Sequence, residues 1–247
     1  MEEKTTLEQV IALHPEINHI EVRPEDNRRQ VKSFVLRGQK LGTRQLEALR
    51  DSFDEYAIKW TGTRTDIGSL FPVRRPVVIE IGFGMGESTI RIAKEHPDLN
   101  FLGIEVFLFG FSKLLYRIAD AGPDNLRIMR FDAKDVLDVM VPDGSVRGFH
   151  IFFPDPWPKK RHHNRRLIQP QFASLLASKL EKGGYIYTVT DWEEYAQQML
   201  DVLSATPGLT NRFDGYADHV PWRPETGFER KGLEQNHQIR ELWFEKR

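Results

Sequence analysis

The 247-residue chain contains no cysteine. That excludes disulfides, thiolate nucleophiles and zinc–thiolate sites. It also lacks an excess of either charge. Its 35 Lys and Arg stand against 36 Asp and Glu, for a formal net charge of −1. A generic polyanion binder is excluded, and any site for a polyanion must be local. No apolar run approaches the ~20 residues that span a bilayer. The opening Met1-Glu2-Glu3-Lys4-Thr5-Thr6 lacks the basic and then apolar profile of a secretory signal. The expectation is a cytoplasmic protein with no membrane contact. Internal repeats and low-complexity tracts are missing too.

What is present begins with composition. Forty percent of the residues are hydrophobic, enough for one large α/β domain with a modest extension. Residues 1–50 read as that extension and 51–247 as the domain. From Arg23 to Arg50 the extension carries eight Lys or Arg (Arg23, Arg28, Arg29, Lys32, Arg37, Lys40, Arg44, Arg50) against three acids. Such a segment is either a solvated, partly flexible tail or an arm that touches phosphate. From Val77 onward, short β-branched runs alternate with helical stretches. Strands are expected at 77–81, 101–105, 126–131, 146–153 and 185–190, with a last, edge strand at 239–244. Helices are expected at 88–96, around 112–119, and near 170–180 with an end at Gly183-Gly184. This alternation predicts a mostly parallel sheet.

An acid stands at or beside the end of each of the first five strands: Glu80, Glu105, Asp132, Asp155 and Asp191. In open α/β sheets, ligands bind beyond the carboxyl ends of the strands, so these acids are expected around one pocket. The first strand runs into Gly82-Phe83-Gly84-Met85-Gly86. Glycines admit positive φ and let a ligand approach the backbone. The spacing is G-x-G-x-G, and Glu87 occupies the position where the dinucleotide fingerprint needs glycine. A carboxylate there repels a pyrophosphate, which disfavours NAD-type cofactors. S-adenosylmethionine carries no phosphate and fits. Glu105, nineteen residues past Gly86, is placed to accept from ribose hydroxyls. Asp132 is placed to receive the adenine amino group, and Glu80 to face the ammonium.

Residues 153–166 read Phe-Pro-Asp-Pro-Trp-Pro-Lys-Lys-Arg-His-His-Asn-Arg-Arg. Three prolines stiffen the first half and hold Asp155 and Trp157 beside the methyl donor. An aromatic face stacks a base and a carboxylate accepts from base N–H groups; equally, Trp157 packs beneath the turn. The second half carries five Lys or Arg and two His, the footprint of phosphate contact. The adjacent histidines lack the spacing of a metal site, and no metal is expected.

These motifs are similar to those of the bacterial tRNA (guanine-N7-)-methyltransferase family. The resemblance runs from about Ser33 to the C-terminus, through 79–86, 103–105, 153–166, Thr190-Asp191 and Thr226-Gly227-Phe228-Glu229. The Pro-Asp-Pro-Trp segment with its basic run is specific to that family, whereas the glycine turn is shared by all class I methyltransferases. The resemblance implies a Rossmann-like class I fold with helices on both faces of the sheet and an antiparallel C-terminal edge strand. It implies methyl transfer from S-adenosylmethionine to N7 of guanine 46 in the variable loop of tRNA. It also implies roles: Glu80, Gly82, Gly84, Gly86, Glu105, Asp132 and Asp155 for the methyl donor, and Asp155 as the catalytic residue. Lys159, Asp191, Thr226, Gly227, Phe228 and Glu229 are implied to contact substrate. Arg161, His162, His163, Asn164, Arg165 and Arg166 are implied to contact RNA. Asn164 stands where relatives often carry a base. No obligate protein partner is expected, and monomer and homodimer both remain open.

Overall fold

A computed structural model describes residues 5–21, 32–35, 38 and 40–247, without the side chains of Ala121 and Phe228. Arg23, Arg28, Arg29 and Arg37 of the basic segment therefore lie outside the described residues.

Helices α1 (Leu7–Leu13), α2 (Thr43–Asp51) and α3 (Phe53–Tyr56) precede the sheet. The alternation then runs β1 (Val77–Ile81), α4 (Glu87–Glu95), β2 (Asn100–Ile104), α5 (Leu108–Ala121), β3 (Leu126–Met129), α6 (Ala133–Asp135) and β4 (Val146–Phe152). It continues with α7 (Pro170–Lys179), β5 (Leu180–Thr190), α8 (Glu193–Ser204), β6 (Leu209–Asn211), α9 (Gly227–Glu234) and β7 (Arg240–Lys246). The seven strands lie in the order β3-β2-β1-β4-β5-β7-β6. β1 to β5 are parallel, and β7 joins β5 antiparallel. The chain moves outward from β1 to β3 and then returns to β4 beside β1. That reversal opens a crevice between the carboxyl ends of β1 and β4.

Strand residues alternate between two cores because successive side chains point to opposite faces. Ile79, Ile81, Phe149 and Ile151 face one core with Phe172, Leu176 and Met199 of α7 and α8. Val78, Phe101 and Ile128 face the other, with Ile92 of α4, Leu114 and Ile118 of α5 and Leu49 of α2. The N-terminal segment is built into that second core through Val10, Ile17 and Leu41.

Three details differ from the sequence expectation. Helix α5 begins at Leu108, four residues ahead of Ser112. Gly183-Gly184 does not end helix α7; the pair lies inside β5. A register shift there skips from the Val146–Leu180 pair to Gly148–Tyr185. A Cβ on Gly184 would meet three carbonyl oxygens at 2.9–3.0 Å, so glycine is required where the bulged backbone closes on β4. Finally, the C-terminal strand is not outermost: three-residue β6 pairs along its far side.

Candidate functional site

The crevice is lined on one side by the turn after β1. Gly82, Gly84 and Gly86 have φ of 79°, 56° and 69°, the left-handed region that glycine enters without strain. Gly82 and Gly86 serve different purposes. A Cβ on Gly82 would meet nothing within 4 Å, leaving an open ledge, whereas a Cβ on Gly86 would fall 2.6 Å from Leu114. Helix α5 presses equally hard from its own side, since a Cβ on Gly110 would lie 2.1 Å from the Gly84 carbonyl oxygen.

Three buried carboxyls surround this ledge. Glu105 ties it down: Oε2 accepts the Gly84 N–H at 2.9 Å, and Oε1 accepts the N–H groups of Val106 and Phe107 at 2.8 and 3.0 Å. Burial raises its pKa, those N–H donors oppose the rise, and the charge of Asp155 adds to it. Glu80 is 4% exposed, and its Oε2 has no hydrogen-bond partner among the described residues. Burial pushes its carboxyl up to about 7; the nearby Thr89 hydroxyl opposes the rise and the neighbouring Glu105 adds to it. Asp132 caps α6 by accepting the Lys134 N–H at 3.0 Å, with Lys32 Nζ 3.9 Å away. Its carboxyl is also raised by burial.

An orphaned buried carboxylate oxygen beside an open ledge fits a ligand that brings its own N–H donors and positive charge. S-adenosylmethionine meets that requirement: Glu80 can hold its ammonium, Glu105 its ribose hydroxyls and Asp132 its adenine amino group. A pyrophosphate fits poorly. The reason differs from the one expected, because Glu87 is ion-paired with Arg117, which also donates to the Met85 carbonyl at 2.6 Å. The three acids of the crevice, rather than Glu87, oppose an anion.

The facing side is the segment after β4. Asp155 is exposed at its apex. Phe153 and Trp157 flank it with φ of 49° and 45°, unusual for bulky side chains. The Trp157 indole N–H donates to the Ser33 carbonyl at 3.1 Å, and the Arg165 guanidinium lies 3.7 Å over its ring. Arg165 also donates to the carbonyls of Lys32 and Phe34 at 2.9 and 3.3 Å. Residues 32–34 therefore strap this segment, and Trp157 packs beneath it. Lys159, Lys160, Arg161 and Asn164 are exposed, and His162 is half-buried against the Trp157 ring edge.

Within 161–166, the segment expected to face RNA, the structure turns the last residue inward. Arg166 is 1% exposed; it donates to the Pro156 carbonyl and to Gln198 of α8. His163 turns inward with it, its Nε2 3.1 Å from Arg166 Nη2 and its Nδ1 3.5 Å from Glu194.

A third wall follows β5. Asp191 contacts His237 at 3.2 Å, and α9 packs so closely that a Cβ on Gly232 would lie 2.9 Å from Asp191. Thr226 caps α9, accepting the Glu229 N–H at 3.0 Å while Glu229 accepts the Thr226 N–H at 3.3 Å. Gly227 is exposed at the first helical position, and the Phe228 side chain lies outside the described residues. Glu229, expected at the substrate, is placed as an internal anchor. It is 7% exposed and bidentate to Arg223, at 2.5 and 2.9 Å. Arg223 continues to Glu241 at 2.7 Å and to the Tyr187 hydroxyl at 2.9 Å. Nothing local in the sequence distinguishes Arg223, whose partners come from β5, β7 and α9.

Among the described residues, two groups of ligand-type side chains converge, and each already embraces a cationic side chain. Arg223 reaches Glu229 and Glu241 of the group completed by His219. Lys59 lies 2.9 and 2.8 Å from Glu16 and Asp54 of the group completed by His14.

This sheet order, with a glycine turn and three buried acids at its switch point, defines a class I S-adenosylmethionine-dependent methyltransferase. A family described as "Putative methyltransferase" matches residues 74–242. The chain is 46% identical to the tRNA (guanine-N(7)-)-methyltransferase of Bordetella pertussis, covering 87% of this chain and 85% of that one. It is 46% identical to the same enzyme of Neisseria meningitidis, covering 88% and 92%. The chain belongs to the tRNA (guanine-N7-)-methyltransferase family. Among solved structures, the aminoglycoside resistance methyltransferase NpmB1 aligns with a TM-score of 0.54 at 16% identity, covering 76% of this chain and 96% of that one. The 16S rRNA methyltransferase KamB aligns at 0.53 and 14%, covering 69% and 87%. Both share the fold.

Proposed function

We propose that the chain transfers the methyl group of S-adenosylmethionine to N7 of guanine 46 in the variable loop of tRNA, forming 7-methylguanosine. The observation that carries this is the placement of Asp155. It stands exposed on a stiff turn beside the donor ledge, with Lys159, Lys160 and Arg161 next to it. The near-full-length relatives that carry this activity in their names support the same reading.

When bound, S-adenosylmethionine supplies an electrophilic sulfonium methyl. Guanine N7 carries a lone pair and no proton, so its electrons form the new N–C bond while the S–C pair returns to sulfur. No base is required, and alignment supplies several kcal/mol. Asp155 accepts from the guanine N1–H and exocyclic N–H groups and turns N7 toward the ledge. Its charge also balances the cation that methylation creates on the purine. Adenine, whose N1 is an acceptor, cannot satisfy the same carboxylate. Lys159 and Arg161 hold phosphates, while Asp191 and Gly227 border the nucleotide. In this reading residues 51–247 are the methyltransferase domain and 1–50 its extension, although α2 crosses that boundary. The enzyme acts in the cytoplasm, as a monomer or homodimer, without an obligate protein partner.

Incubation with total tRNA and labelled methyl donor, followed by nucleoside mapping, tests it. Label in 7-methylguanosine from the variable loop is expected. Label in another nucleoside, or in no RNA at all, overturns the assignment.

A further inference from the structure

The turn that presents Asp155 holds two bulky residues, Phe153 and Trp157, at positive φ. Pro154 follows Phe153 directly and restricts its backbone further. Such a conformation persists only where neighbouring contacts impose it. On the entry side, the Phe153 N–H donates to the Val189 carbonyl of β5 at 2.8 Å. On the exit side, Arg166 Nε donates to the Pro156 carbonyl at 2.8 Å. That carbonyl belongs to the residue after Asp155.

The rest of the Arg166 guanidinium is committed to the body of the protein. Nη1 donates to Gln198 Oε1 at 2.7 Å, and the group lies 5.1 Å from the Tyr195 ring, both on α8. Nη2 reaches His163 Nε2 at 3.1 Å and Glu194 Oε2 at 3.6 Å. A planar fork with fixed donor directions satisfies these partners at once; a lysine ammonium, with one nitrogen, does not. A side chain 1% exposed presents nothing to a phosphate.

We propose that Arg166 is a positioning residue: it clamps the Pro156 carbonyl to α8 and so fixes Asp155 at the crevice, and it makes no contact with RNA. This rests on the reading that Asp155 grips the guanine, and it separates Arg166 from Lys159 and Arg161, which do meet phosphate.

The test uses the full-length chain carrying Arg166→Lys, with Arg161→Ala and Asp155→Asn alongside. Gln198→Ala loosens the guanidinium without stranding a buried charge, and serves if Arg166→Lys does not fold. For Arg166→Lys we expect kcat to fall about thirtyfold, because a displacement near 1 Å is costly to an aligned reaction. The KM for tRNA, the affinity for S-adenosylhomocysteine and the salt dependence of tRNA binding stay as in the parent. For Gln198→Ala the same pattern appears, with a loss of about threefold. Arg161→Ala raises KM and lowers the salt slope by about one. In single turnover, Arg166→Lys added to Asp155→Asn costs nothing further. Arg166→Lys with parental kcat overturns the proposal, as does a raised KM with a shallower salt slope, or full additivity with Asp155→Asn. Parental turnover in Asp155→Asn alone sinks instead the reading of Asp155 on which the proposal rests.

Discussion

The two sides of the crevice reach rigidity by opposite means. The donor side is shaped by missing side chains. Gly86 and Gly110 let a turn and a helix approach until a single methyl would not fit, and Glu105 closes the assembly by accepting three backbone N–H groups. The acceptor side is shaped by long side chains turned inward. Arg166 fastens the Asp155 turn to α8, and Arg223 fastens the start of α9 to β5 and β7. A ledge for one invariant small molecule tolerates close packing. Segments that meet a macromolecule must project outward, and buried guanidiniums hold them while their tips stay exposed.

Gly110→Ala strikes the donor side alone and has the largest expected effect. Helix propensity alone favours alanine by about 1 kcal/mol, but the new methyl would sit 2.1 Å from a backbone carbonyl oxygen that cannot move aside. The clash wins, with a net loss of about 4 kcal/mol in urea unfolding and loss of S-adenosylhomocysteine binding. A variant as stable as its parent would break the account of the donor side. Arg223→Met strikes the acceptor side by leaving Glu229 and Glu241 buried without their partner. We expect a loss of ~3 kcal/mol by the same measurement. An unchanged midpoint would show that α9 is held by something else. Asp155→Asn follows, lowering single-turnover rate about 100-fold, or ~2.7 kcal/mol, with cofactor affinity kept.

The smallest effect is one of pH. Burial raises Glu80 from 4.5 to about 7. Between those values the folded chain holds a proton that the unfolded chain has lost, so Glu80 lowers stability as pH rises through this window and its penalty is complete above about 7. Binding runs the other way, because an ammonium ligand favours the ionised form. Affinity for S-adenosylhomocysteine should weaken about tenfold per pH unit below 7 and level off above it. Calorimetry at pH 6 and pH 8 checks this. Glu80→Gln should abolish the slope, and a flat profile in the parent would remove Glu80 from the ammonium site.

The difference between the sides also explains what sequence reading could reach. Most of the donor side is local: β1, Gly82 to Gly86 and the start of α4 lie within residues 77–95, and the acids recur in phase with the strands. The parallel sheet and its switch point follow from the same alternation. β6, with three residues, is too short to leave a periodic signature, and Gly183-Gly184 resembles a helix stop as much as a bulge. On the acceptor side, Arg161 and Arg166 look alike in a basic run. Only the Pro156 carbonyl and Gln198, brought in by the fold, separate an exposed charge from a buried clamp. The anchoring of Glu229 is hidden in the sequence for the same reason, since its partner Arg223 is identified by β5 and β7 rather than by its neighbours in the chain.

The strap formed by Lys32, Ser33 and Phe34 has a consequence for how the molecule is made. Its hydrogen bonds to Trp157 and Arg165 span 124 to 133 positions, long loop closures among the described residues. Such contacts form only after the intervening chain is largely ordered. On the ribosome the strap emerges more than a hundred residues ahead of its partners. The segment synthesised ahead of its partners docks only once they have followed, and until it does, the turn bearing Asp155 lacks one of its supports.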